Sequence, residues 1–202
     1  MSAHSRTWIG ADPGGHGNFG VAILNHDGST RTFCAGCADE AVEQVCQSLD
    51  SAPAGVGVDA PLWWSSGASG DRAVDQWLRK KYRLSGGSVQ TCNSLRGAAL
   101  VQGAMFAHRI RQRFPGVGIT ETHPKALLAA IKMTWSSFSE RFAVISVALD
   151  DREHERDAVI SAVAAREGFE GRWQRDLGLD RHQSELDPAT YWLAPIRYFW
   201  PE

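Results

Sequence analysis

The sequence predicts an α/β domain in which helices are layered on one mixed five-stranded sheet, and three observations predict it. Short apolar runs rich in β-branched residues alternate with longer stretches whose apolar residues recur at helical spacing, in the order β-β-β-α-β, helices, β-α-α. The first three strands are joined by short turns and read as an antiparallel meander, whereas a strand arriving after a helix is expected parallel to its neighbour. No repeat, low-complexity tract or long linker divides the 202 residues. They are read as one domain, 1–202, with 190–202 as a final strand or tail packed on it.

Taken in order, Trp8–Ala11 and Phe19–Leu24 are apolar strands flanking a glycine-rich loop that begins Asp12-Pro13. Asp27-Gly28-Ser29 is a turn, and Thr30–Cys34 a third strand. Ala38–Leu49 places Ala41, Val42, Val45, Cys46 and Leu49 on one helical face. Gly55–Asp59 is a fourth strand ending in a carboxylate. Asp71–Tyr82 is a helix with Asp71 as cap and a basic end, and Arg96–Phe114 a long helix. Val117–Thr122 is the fifth strand, and His123–Lys132 a helix with Pro124 in its first turn. Ser137 or Ser139 is expected to cap a helix running to about Leu149. His154–Glu167 is the last clear helix, ended by Gly168, and Tyr191–Ile196 a final strand or extended tail.

A net charge of -2 excludes a general basic coat, so any nucleic-acid binding must use a local patch. No apolar run reaches membrane-spanning length, and the first residues lack the apolar stretch of a signal peptide, so a cytoplasmic protein without membrane partners is expected. Cys34 and Cys37 form a lone C-x-x-C with no second pair to complete a zinc site, so the four cysteines read as reduced thiols. The eight tryptophans read mostly as packing, though an exposed pair such as Trp63-Trp64 beside a site could stack on bases.

Three strands end at an acid: Asp12, Asp59 and Glu121. Ligands of open α/β sheets bind at the carboxyl ends of strands. Carboxylates gathered there repel one another, and divalent cations with a taste for hard oxygen ligands relieve the repulsion. Asp157 lies early in the last helix, with His154 three residues before it on the same face. Ala158, Ala162 and Ala165 let that helix pack closely on the sheet. Each acid also has a structural alternative: Asp12 and Asp59 in turns, Glu121 in a surface ion pair, and Asp157 at a helix N-terminus. His154 could equally be a solvated neighbour of the helix cap; His123, beside Glu121, reads either as an outer partner of the site's ligands or, more commonly for a helix-start histidine, as structural. Arg72, Arg79, Lys80, Lys81, Arg83 and Arg96 form a basic run, readable as phosphate contacts or as a solvated face, and Lys125 is a second phosphate candidate.

The stretch Trp8–Ile23, WIGADPGGHGNFGVAI, resembles the opening motif of RuvC-type resolvases, and His154-x-x-Asp157-Ala158 resembles their closing helix motif. Together with GVGVDAPLWW and ITETHPKALL, the chain is similar from Trp8 to about Pro195 to an uncharacterised family of predicted nucleases. The resemblance implies an RNase-H-like fold, two Mg²⁺ or Mn²⁺ ions, and hydrolysis of a phosphodiester. Asp12 is then the bridging ligand, Asp59 and Asp157 hold one side each, and His154 is a ligand or proton-transfer group. Glu121 is a further ligand in the predicted-nuclease pattern but not in the resolvase pattern, which also favours glutamate where this chain has Asp59. Arg72, Arg96 and Lys125 are the candidate substrate contacts. The implied partner is nucleic acid, DNA or RNA undecided, with a homodimer as the assembly considered. Two other readings stay open. One is a nucleotide-binding protein related to actin and the sugar kinases, which needs a second such domain. The other is a module that binds nucleic acid or nucleotide without catalysis.

Overall fold

The computed structural model describes residues 6–65, 67–145, 148–179 and 195–202. Among these, the elements in chain order are β1 (Thr7–Asp12), β2 (Phe19–Asn25), β3 (Thr30–Ala35), α1 (Ala38–Ser48), β4 (Gly55–Val58), α2 (Ala73–Tyr82), α3 (Gly97–Arg113), β5 (Ile119–Glu121), α4 (Pro124–Ile131), α5 (Trp135–Arg141), α6 (Glu153–Phe169), β6 (Arg175–Asp176) and β7 (Phe199–Trp200). Strands β3-β2-β1-β4-β5 form one mixed sheet, the α/β architecture that the sequence predicts. β1, β2 and β3 pair antiparallel, and β1, β4 and β5 pair parallel. No helix among the described residues is long and apolar enough to cross a membrane.

The β2–β3 turn forms because Asp27 Oδ1 accepts hydrogen bonds from both the N–H and the hydroxyl of Ser29. Gly28 takes a φ of 87° there, which an L side chain resists. On one face of the sheet, Phe19 meets Phe106 of α3 at 5.6 Å between ring centroids. On the other lies α6, seated by the absence of side chains. A Cβ on Gly10 of β1 would stand 1.8 Å from the Ala158 carbonyl oxygen, one on Gly20 of β2 2.1 Å from that of His154, and one on Gly57 of β4 2.1 Å from that of Ser161. Three adjacent strands thus present bare backbone to the helix, which is why main chain rests on main chain.

Four boundaries differ from the sequence-based expectation, each for a local reason. Asp71 does not cap α2; it pairs with Arg79 at 2.7 Å, and the helix starts at Ala73. α5 is capped by Thr134, because the Ser137 N–H donates to Thr134 Oγ1 and the Thr134 N–H to Ser137 Oγ. That helix stops at Arg141, where Ala143 turns to a φ of 50° and Ile145 bridges to Ser29. Gly168 lies inside α6 rather than ending it, and it is required by the Phe199 ring, which a Cβ would meet at 2.0 Å.

The expected strand at Tyr191–Ile196 falls largely outside the described residues. From Pro195 onward the chain runs beside β5. The Arg197 N–H donates to the Ile119 carbonyl at 3.0 Å, and the Glu121 N–H to the Arg197 carbonyl at 2.8 Å. Tyr198 and Trp200 are fully buried, and β7 pairs with β6.

Candidate metal centre

Because β1 and β4 are parallel neighbours, Asp12 and Asp59 emerge at the same end of the sheet, and the Asp59 N–H donates to the Ala11 carbonyl at 2.8 Å. Side chains alternate faces along a strand, so Asp12 shares the face of Gly10, and Asp59 continues the face of Gly57. Both acids therefore project toward the helix that the two glycines admit. Asp157 comes from the early turns of α6, and carboxylate oxygens of Asp12, Asp59 and Asp157 all lie within 4.8 Å of one another.

Among the described residues, little balances these charges. The Nδ1 of His154 lies 2.7 Å from Asp12 Oδ2. Among the described residues, Asp59 accepts no hydrogen bond; the His123 Nδ1 stands 4.0 Å from its Oδ1. Asp157 is only 4% exposed, and its nearest cation, the Arg156 Nε, is 3.6 Å away. Lys125 is paired with Glu153 at 2.8 Å on the exposed rim. Burial pushes the Asp12 carboxyl up despite the opposing His154. Burial, then repulsion from Asp12 and Asp157, pushes Asp59 well above the usual carboxylate range. Burial and Asp12 push Asp157 up to about 6, with Arg156 and Lys125 opposing. The hydrogen bond to Asp12 raises His154, while burial pushes His123 down to about 4, so its ring is neutral at physiological pH.

The acids open into a cleft of about 190 Å³ whose walls include Pro13, Ser88, Leu95, Ala99 and Lys125. The donor set suits a hard divalent cation: three carboxylates, two of them without a hydrogen bond among the described residues, beside a buried imidazole nitrogen that likewise makes no hydrogen bond among them.

Of the residues singled out in the sequence, Asp12, Asp59, Asp157 and His154 converge, and Lys125 stands at the rim. Glu121 does not join the cluster as a ligand, which corrects that expectation. Its Oε2 accepts from Arg72 at 2.9 Å and from the Leu62 N–H at 2.9 Å, and its Oε1 accepts from Arg72 at 2.6 Å. Arg72 is likewise corrected as a phosphate contact. It is 2% exposed, stacks 4.3 Å over Trp63, and directs its five N–H donors to Asp75, Glu121 and the Trp63 carbonyl. Arg96 precedes α3 as its exposed N-cap, between Leu95 and Ala99 of the cleft wall. In the rest of the basic run, Arg79 pairs with Asp71, Lys81 with Glu202, and Arg83 ends α2 in the left-handed conformation. Asp75 carried no sequence signal, since an acid in the first turn of a helix reads as a dipole partner.

The raised Asp157 carboxyl makes a testable statement about stability. Its ordinary value is 3.8, against about 6 in the folded chain. The cost of ionising it is absent while folded and unfolded chains both hold the proton. It grows as pH rises from about 4 and is complete above about 6. Asp157→Asn is therefore expected to stabilise the cation-free protein by about 1–3 kcal/mol at neutral pH and by nothing below about pH 4. Urea unfolding in a chelating buffer at the two pH values checks this. A variant no more stable than its parent at neutral pH would mean that the charge is already compensated.

Comparison of the chain with protein-family models, with curated proteins and with solved structures finds no match.

Proposed function

We propose that this chain is a metal-dependent nuclease that hydrolyses phosphodiester bonds in nucleic acid, with two Mg²⁺ or Mn²⁺ ions held by Asp12, Asp59 and Asp157. The observation that carries the reading is the gathering of three under-compensated carboxylates at the carboxyl ends of parallel strands, in a cleft open to solvent. The motif resemblance to RuvC-type resolvases supports the same chemistry. When bound, such a pair of cations supplies Lewis acidity at phosphorus and neutralises charge on the attacking and departing oxygens.

The protein's own residues do the placing. Asp12 is the acid contacted by His154 and belongs to the central strand of the sheet, and it would hold the ions together with the other two acids. Asp59 and Asp157 flank it from β4 and α6. His154 has a side chain 41% exposed at the mouth of the cleft, with its Nδ1 fixed by Asp12, leaving Nε2 to exchange a proton with water or substrate. Lys125 on the cleft rim, and Arg96 next to Leu95 of its wall, are the candidate phosphate contacts, and contacts of that kind weaken with added salt.

The test is a screen of single-stranded, duplex and branched DNA and RNA with Mn²⁺ or Mg²⁺, run beside Asp12→Asn. Loss of an outer partner of a metal ligand costs about 10- to 100-fold, so removal of a ligand is expected to cost more than about 100-fold in rate. Cleavage that survives Asp12→Asn at the parental rate would remove the reading.

A further inference from the structure

We infer that His123 is a nitrogen ligand to the cation on the Asp59 side of the cluster, and that it biases the centre toward Mn²⁺ over Mg²⁺. The inference rests on the metal-centre reading above and adds a donor that neither the sequence pattern nor the acid cluster assigns. Four observations carry it. The Nδ1 of His123 is buried and has no hydrogen-bond partner among the described residues. It stands 4.0 Å from Asp59 Oδ1, less than twice a metal–oxygen bond of about 2.1 Å, so one ion can touch both atoms. Asp59 itself accepts no hydrogen bond among the described residues, so nothing there competes for its oxygen. His123 also occupies the N-cap position of α4 without making a side-chain cap bond.

The local sequence explains the aim of the ring. Pro124 follows His123, and a residue before proline is pushed out of the helical region; His123 accordingly has φ -149° and ψ 84°. The preceding segment is fixed from both sides. The Thr122 N–H donates to the Val58 carbonyl at 2.9 Å, and the Thr122 hydroxyl bonds to that of Ser161 at 2.7 Å. Thr122 is thus held between β4 and α6, so the backbone that carries the ring has little freedom to turn. A neutral imidazole is a competent ligand, and a nitrogen donor is better tolerated by a transition ion such as Mn²⁺ than by Mg²⁺, the harder ion, which keeps to oxygen ligands and water.

The experiment loads the full chain with Mn²⁺ and reads ¹⁴N coupling by pulsed electron paramagnetic resonance, beside Mn²⁺ and Mg²⁺ affinities by titration calorimetry. The parent is expected to show nitrogen coupling, retained in His154→Asn and lost in His123→Asn. Mn²⁺ affinity is expected to fall about 10-fold or more in His123→Asn, with a smaller change for Mg²⁺. His123→Gln, which keeps length and polarity, gives the same reading if His123→Asn does not fold. Mn²⁺ binding without nitrogen coupling in the parent, or coupling that persists in both His123 variants, overturns the ligand assignment and leaves the carboxylate centre standing. A parent that binds no Mn²⁺ overturns the metal centre and this inference with it.

Discussion

Gly10→Ala is expected to destabilise the protein by at least about 3 kcal/mol, a large part of the 5–15 kcal/mol that separates a typical folded domain from its unfolded chain. The new methyl would stand 1.8 Å from the Ala158 carbonyl oxygen and 2.5 Å from the Ala162 nitrogen. Both are main-chain atoms in the middle of α6, so neither can swing aside as a side chain would. Relief requires the helix to lift from β1, which opens the core along its length and carries Asp157 away from Asp12. Gly15→Ala is the matched control, because a Cβ there meets nothing within 4 Å; its effect should stay within about 0.5 kcal/mol. Urea unfolding of the two variants measures the difference. Equal stabilities would show that helix and sheet are not in backbone contact.

Arg72→Met is expected to cost about 3–5 kcal/mol, because it strands two buried carboxylates at once. Asp75 and Glu121 both face the guanidinium in two-pronged contacts, at 2.8 Å and at 2.6–2.9 Å. Arg72→Lys should recover little, since a single ammonium cannot serve both acids in that geometry. The triple change Arg72→Met with Asp75→Asn and Glu121→Gln should regain part of the loss, because no net charge then stays buried. The network also reaches the candidate site. Glu121 Oε2 holds the Leu62 N–H, three residues beyond Asp59, so an Arg72 variant that folds is expected to bind Mn²⁺ more weakly than the parent. If Arg72→Met unfolds at the same urea concentration as the parent, these charges are solvated in solution rather than buried.

The sheet was legible because its strands are short apolar runs with turn formers between them, and a parallel pair follows from a helix intervening. The gathering of Asp12, Asp59 and Asp157 was legible for a related reason: each acid lies at the end of an element whose direction the pattern gives. Glu121 obeys the same pattern and yet turns to Arg72, 49 positions away in sequence. Periodicity carries no information about which distant charge will be buried opposite it. The seat of α6 was hidden for another reason. Alanines in the helix announced close packing, but Gly10, Gly20 and Gly57 read as ordinary strand or turn residues until the helix backbone is placed over them. The pattern misplaces the cap of α5, at Ser137 or Ser139 instead of Thr134, because all three carry the hydroxyl that a cap needs.

The contact of peptide group against peptide group beneath α6 has a consequence for the proposed metal centre. Side chains relax by hopping between rotamers, but regular main chain has no such soft coordinate. The spacing of the backbone positions that carry the acid on the helix and those at the strand ends is therefore set by the stiffest parts of the molecule. Calcium asks for bonds a few tenths of an ångström longer than magnesium does, and for more ligands. If the cluster holds a divalent cation as proposed, a frame that resists widening would select against the larger ion by radius.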